Sequence, residues 1–196
     1  MRLKEGNKEL DIFEAAVKLI AKNGFHHAKM SKISEMAGVS IGSCYVYYKN
    51  KEDILFSVFR SVYKQLETIA TDFADNESLS TIEKMDKLVD AFFDIFNKNQ
   101  KLALVFVNEY NTMIRLSKGN IEHYNEFMEL AESILKRGVE RDEINPNLDI
   151  KFLRVFVIGG VRYMLEFWAR ENDKIKLDLL RNNVKQILRN GITKCN

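Results

Sequence analysis

The chain has 196 residues, 46% hydrophobic and 30% charged, which excludes a disordered chain or a membrane-embedded bundle and leaves room for one or two buried cores. A formal net charge of +2 excludes bulk charge as the basis of nucleic-acid or membrane affinity, so a charged partner has to be sought in local clusters. Two cysteines, Cys44 and Cys195, and three histidines exclude a disulfide framework and leave little material for a metal centre or a nucleophilic triad. No uninterrupted apolar run reaches the roughly 18 residues of a membrane span. The opening "MRLKEGNKELD" has no apolar segment of the kind a signal peptide needs. The expectation is a chain of the reducing cytoplasm with no membrane partner, no cofactor and no metal. A single proline, Pro146, and nine glycines leave few helix breakers and predict an all-α fold of long helices.

In chain order, Ile12, Phe13, Ala16, Val17 and Ile20 recur at helical spacing and predict a helix over 7–23, stopped by Asn23-Gly24. A short helix over 30–37 follows, with Ile33, Met36 and Ala37 apolar, and Gly38-Val39-Ser40 breaks it. A second short helix runs over 41–47. Asn50 is the predicted N-cap, answered by Asp53 three residues on, of a long helix reaching to about Phe73. Beyond "ADNES" the helices become longer and more apolar: 79–97, 100–116 and 120–141. "RDEINPNLD" reads as a turn, after which 149–171 and 177–190 complete nine helices. No strand alternation or hairpin signal competes.

Two short helices joined by a glycine turn, placed after a longer helix, form a helix-turn-helix pattern. Its geometry requires Ile33, Ala37 and Val39 to face inward, with Ala37-Gly38 small where the helices cross and Cys44 acting as a small buried hydrophobe. That leaves Ile41, Gly42, Ser43, Tyr45, Val46 and Tyr47 around the exposed face and N-terminal end of the second helix, where base edges and phosphates are met. Between positions 22 and 51, Lys22, Lys29, Lys32, Lys49 and Lys51 outnumber the single acid Glu35, the sign of a phosphate-facing surface. Lys51 falls in the first turn of the next helix, where free N–H groups and the helix dipole already favour an anion. Tyr48 is expected in the core and Cys44 as an inert buried thiol. His26 and His27 are expected in solvent, and His123 has no evident metal partners.

The run "KISEMAGVSIGSCYVYYKNKEDIL" resembles the DNA-binding segment of the TetR family of one-component bacterial regulators. The family pattern is matched by Ile33, Ala37-Gly38-Val39-Ser40, Gly42, Tyr45-Val46-Tyr47-Tyr48, Lys49-Asn50-Lys51-Glu52 and Leu55. Ser34, Cys44 and Tyr48 depart from it in ways that preserve size or fall on the core side, and Lys29 stands where the family has a threonine. The resemblance implies base-edge or groove contacts from Ile41, Gly42 and Ser43, and phosphate contacts from Tyr45, Tyr47 and Lys51. Ser31 and Lys32 are additions from the preceding helix.

The remaining helices are rich in aromatic residues and should form one bundle. An apolar cavity between them is expected to take a small apolar ligand. Its candidate lining is Phe92, Phe96, Phe106, Tyr110, Met113, Phe127 and Tyr163, with Asn108, Glu109 and Arg162 as polar residues among apolar neighbours that need a partner or a ligand. Ile158-Gly159-Gly160 lets another backbone approach closely, and Leu177, Leu180, Val184, Ile187 and Leu188 form a stripe on the last helix. The TetR resemblance implies that the last two long helices form a four-helix dimer interface, here from Phe156, Gly160, Leu180, Val184 and Ile187. It also implies a palindromic operator of double-stranded DNA as partner. Within the family, the N-terminal run and "RDEINPNLD" are most similar to the TetR-type repressors of fatty-acid degradation, which implies a long-chain acyl-CoA as effector. The expected domains are 1–50 for DNA binding and 51–196 for ligand binding and dimerisation. The expected protein is a homodimeric, ligand-responsive repressor of the cytoplasm, and not an enzyme. Its rivals are an all-α carrier or enzyme with a vestigial helix-turn-helix, and a DNA binder without an effector.

Overall fold

The computed structural model describes residues 7–97, 99–118, 121–171 and 175–193. Among the described residues there are ten α-helices and no strand. They are α1 (Lys8–Asn23), a 3-10 turn (Phe25–His27), α2 (Met30–Ala37), α3 (Ile41–Tyr47), α4 (Lys51–Ala74) and α5 (Thr81–Asn97). The chain continues through α6 (Gln100–Asn108), α7 (Tyr110–Ser117), α8 (Tyr124–Glu140), α9 (Ile150–Arg170) and α10 (Leu177–Ile192). Cys195, Asn120 and the opening residues up to Gly6 lie outside the described residues. The fold is all-α. None of the described helices is long and apolar enough to cross a membrane. The helices gather into two compact units: the chain up to Ser61 with Lys101–Ile121, and Val62–Gln100 with the chain from Glu122 onward.

In the first unit the turns follow from identifiable residues. Asn7 caps α1, its side chain accepting from the Leu10 N–H at 3.4 Å. Gly38, at φ +70°, takes the left-handed conformation that ends α2, and the Val39 N–H closes back onto the Ser34 carbonyl at 3.1 Å. Ser40 then caps α3 by accepting from the Ser43 N–H at 3.1 Å. Asn50 caps α4 by accepting from the Asp53 N–H at 2.8 Å, and the Asp53 carboxylate returns to the Lys49 N–H at 3.1 Å. Ile12, Ile33, Cys44, Ile54, Leu55 and Phe59 fill the interior, each large aliphatic or aromatic side chain contributing about 1.5–3 kcal/mol by leaving water.

The helix expected over 100–116 is two helices, α6 and α7, separated at Glu109. Glu109 is 8% exposed, and its Oε1 accepts from the Phe25 N–H at 2.9 Å. A buried carboxylate needs a donor, and Phe25 supplies it; the Glu109 backbone, at φ −100° and ψ 7°, departs from helical values while its N–H still reaches the Val105 carbonyl at 3.0 Å.

In the second unit, α5 opens with a reciprocal cap at Ser80 and Glu83. The Glu83 carboxylate accepts from the Ser80 N–H at 2.7 Å, and the Ser80 hydroxyl accepts from the Glu83 N–H at 3.2 Å. The Ser80 N–H and the Ser80 hydroxyl, the latter at 2.8 Å, both donate to that carboxylate and hold the Glu83 carboxyl below its ordinary range. Gly138 on α8 has no room for a side chain: a Cβ there would stand 2.6 Å from Ile144 and 2.7 Å from Thr81. The C-terminal carbonyl of α4 at Ala74 accepts from Lys84 Nζ at 2.8 Å and from Arg137 at 3.3 Å, two cations at the negative end of a helix. Helices α5 and α10 run antiparallel and are joined by Asp86 to Arg189, Asp90 to Lys185 at 2.6 Å, and Asp94 to Arg181 at 2.5 Å.

Candidate nucleic-acid interface and effector region

Cys44 orients α3. It is fully buried, and burial pushes its thiol above the ordinary value, which keeps it protonated and inert. At 3.6 residues per turn, Gly42 and Val46 lie about 160° from Cys44 on either side and form the outermost line of the helix. Ile41 and Tyr45 stand on one flank, Ser43 and Tyr47 on the other. The exposures agree: Val46 is 79% exposed, and Ile41, Tyr45 and Tyr47 are all exposed. Ser43 is half-buried, its hydroxyl 2.9 Å from that of Ser40. Tyr48 turns the other way and is buried, which raises its phenol above the usual range.

Ser31 and Lys32 are exposed on α2. The Lys32 ammonium pairs with both oxygens of Glu35 at 2.8 Å. Both side chains are exposed, so that pair is weakly held and a phosphate can displace the carboxylate. Lys51 has a role that its sequence position did not reveal. Its ammonium donates to the Phe25 carbonyl at 3.2 Å and the His26 carbonyl at 3.1 Å, and lies 4.5 Å from the centre of the Phe25 ring. Two of its three donors therefore hold the 3-10 turn against the start of α4, and one remains for an anion. Phe25 is gripped from both ends of its peptide, with Glu109 on its N–H and Lys51 on its carbonyl.

The ten candidate ligand residues divide between the units. In the first, Phe106 stacks on Phe59 with ring centres 5.0 Å apart, Tyr110 tilts toward the same ring at 6.4 Å, and Met113 is fully buried. Asn108 is exposed there, and Glu109 is already satisfied by Phe25. In the second, the rings of Phe92 and Phe96 meet at 5.3 Å, and Phe127 lies 6.3 Å from Tyr63. Arg162 is half-buried and Tyr163 exposed. A separate polar groove of the second unit, lined by Lys64, Glu67, Thr68, Thr71, Asp72 and His123, contains none of the candidates.

The expected interface residues also separate. Leu180 and Val184 are buried within the chain, on a helix that packs against both α5 and α9, so that part of the stripe is covered without a partner. Phe156 is 72% exposed, Gly160 has open space where a side chain would be, and Ile187 is exposed. Phe152, Val155, Tyr163 and Phe167 extend the same exposed apolar character along α9, as Leu179 does on α10.

A helix-turn-helix whose second helix presents hydroxyls and apolar groups to solvent is the arrangement with which DNA-binding proteins enter the major groove. The wider comparison agrees. The chain belongs to the tetR family of bacterial regulatory proteins: that family's model matches residues 12–58, and the model for the C-terminal region of YsiA-like proteins matches residues 60–191. The fatty acid metabolism regulator protein of Bacillus subtilis (strain 168) is 32% identical over 193 residues, covering 94% of this chain and 95% of that protein. The solved fatty acid degradation regulator FadR from Bacillus halodurans superimposes with a TM-score of 0.81 at 32% identity, covering 96% and 98% of the two chains. The transcriptional regulator FadR from Bacillus subtilis, solved in complex with stearoyl-CoA, gives a TM-score of 0.81 at 30% identity and covers 93% and 98%.

Proposed function

We infer that this regulator acts as a homodimeric repressor in the cytoplasm and leaves its operator when a long-chain acyl-CoA binds. The observation that carries the reading is the outer face of α3: exposed, free of acids and flanked by two tyrosines, in a chain of the tetR family. In this reading residues 1–50 bind DNA and 51–196 bind the effector and dimerise. Ile41, Gly42 and Ser43 meet base edges, Tyr45 and Tyr47 the phosphates on the two sides of the groove, and Ser31, Lys32 and the free donor of Lys51 add phosphate contacts. The relative solved with stearoyl-CoA supports an acyl-CoA as effector. Within the second unit, Phe92, Phe96 and Phe127 supply apolar surface suited to an acyl chain, and Arg162 supplies a polar group.

The exposed apolar face built on Phe156, Gly160 and Ile187 supports a second copy of the chain as its cover, since a patch of that kind on a lone subunit marks an interaction surface. A two-fold dimer reads a palindrome only when its two recognition helices are about 34–36 Å apart, one helical turn of DNA. A ligand that binds better to a dimer with another spacing shifts the population off DNA. The test is a gel shift against the region upstream of the protein's own gene, titrated with stearoyl-CoA and, in parallel, with free coenzyme A. Release by stearoyl-CoA alone is the expected result. Retention of the complex at saturating acyl-CoA removes the effector assignment, and no complex at all removes the operator.

A further inference from the structure

We propose that the operator is read chiefly through the 5-methyl groups of thymines, with Val46 as the principal specificity-determining residue and Ile41 beside it. The inference deepens the DNA-binding reading above and rests on it.

Sequence is read in the major groove by a small set of side-chain chemistries. Arginine and lysine fork onto guanine, asparagine and glutamine onto adenine, carboxylates accept from cytosine, and apolar groups pack on the thymine methyl. From Ile41 to Tyr47, α3 carries none of the first three kinds. Its outermost line consists of a glycine and a valine, and Val46, at 79% exposed, is the most exposed of the large hydrophobic residues on α3. A β-branched side chain fully in water on the outer line of a helix gains nothing for the fold. Against a methyl group in the groove it gains apolar contact.

Gly42 supplies a second, independent observation. It lies one turn before Val46 on the same line, and its backbone is not in the left-handed region. A Cβ added there would meet only the Ser40 hydroxyl at 3.8 Å, an ordinary contact. The fold therefore does not require glycine at position 42. Close approach of another body does, and a bare backbone there lets the helix sink far enough for Val46 to touch the base-pair edges. The two tyrosines on opposite flanks of α3 are placed to meet the groove walls as it does so. Ser43 and Tyr45 can each accept or donate one bond, which adds affinity with little power to choose among bases.

The experiment selects an operator from a randomised duplex pool with the full-length protein. Each thymine of the selected half-site is then replaced in turn by deoxyuridine, which removes the methyl and nothing else. At one or two positions per half-site affinity should fall about four-fold, the worth of one methyl leaving water. A 5-methylcytosine·guanine pair at those positions, which restores the methyl, should bind better than the unmethylated pair. In Val46→Ala protein the deoxyuridine penalty at one of them should disappear. Because Val46 is exposed, that variant should keep the wild-type circular dichroism and melting temperature. Uracil tolerated within two-fold at every position overturns the proposal in favour of shape readout, as does an unchanged penalty in Val46→Ala. A pool that yields no enriched sequence overturns the DNA-binding reading itself.

Discussion

Lys51 stands at the meeting of two demands. Its ammonium holds two carbonyls of the turn after α1 and covers the Phe25 ring, and it lies in the first turn of α4, where an anion is favoured. The two roles predict separable effects of Lys51→Met, which keeps the stem and removes the charge. Loss of the carbonyl bonds and the ring contact should lower stability by about 1–2 kcal/mol, read from urea unfolding. Loss of a phosphate contact should also reduce the slope of log affinity against log salt by about 1. A stability loss with an unchanged slope assigns Lys51 to the fold alone. Cys44 shows the opposite economy: fully buried with a raised thiol, it orients α3 and has no further chemistry to offer.

At the level of elements, the junction of α6 and α7 carries a bond to a distant part of its unit, from the Phe25 N–H to the Glu109 carboxylate. Glu109→Ala leaves the Phe25 N–H buried and unpaired, and should cost about 1–3 kcal/mol in denaturant unfolding. Glu109→Gln keeps an acceptor and should lose less. Hydrogen exchange of the Phe25 amide should be slow in the wild type and in Glu109→Gln, and faster in Glu109→Ala. Equal exchange in all three proteins rules out this bond as what protects the Phe25 amide.

The same bond shows what the sequence can and cannot reveal. The helix-turn-helix was legible because its requirements are local: apolar spacing, a breaking Gly38, and a cap at Asn50 three residues from its partner. The reciprocal cap Ser80-Thr81-Ile82-Glu83 is equally local and sets the start of α5 more sharply than hydrophobic spacing does. Glu109 stood out as polar among apolar residues, but its donor lies 84 positions away, and no spacing rule reaches that far. Lys51 likewise meets carbonyls 25 and 26 residues earlier. On the last helices the apolar pattern identified a stripe without telling which of its members the chain itself covers. Leu180 and Val184 are buried within the chain, whereas Phe156 and Ile187 are not.

For the whole molecule, the apolar face of α9 makes oligomeric state and function one question. In the dimer proposed above, an arginine on this face would be buried without a counter-charge, which is costly, so Phe156→Arg should convert that dimer into a folded monomer by sedimentation equilibrium. Operator affinity should drop by about 100-fold or more, because two half-sites are then bound as separate events. Phe156 is 72% exposed, so helicity should be unchanged. A Phe156→Arg protein that remains dimeric moves the interface elsewhere.

The three acid–base pairs between α5 and α10 have a consequence of their own. Asp86, Asp90 and Asp94 are spaced by four, as are Arg189, Lys185 and Arg181 in the opposite direction. Leu180, Val184 and Leu188, buried on the same helix, keep that spacing as well. Two rails with equal teeth have more than one way to engage. A slip of four residues, about 6 Å along the axis, breaks all three pairs and lets only two re-form with new neighbours. Smaller slips leave every tooth between notches. The register in which all three acids meet a base is therefore favoured over every slipped one, and the seam fixes the axial position of α10 as well as its direction.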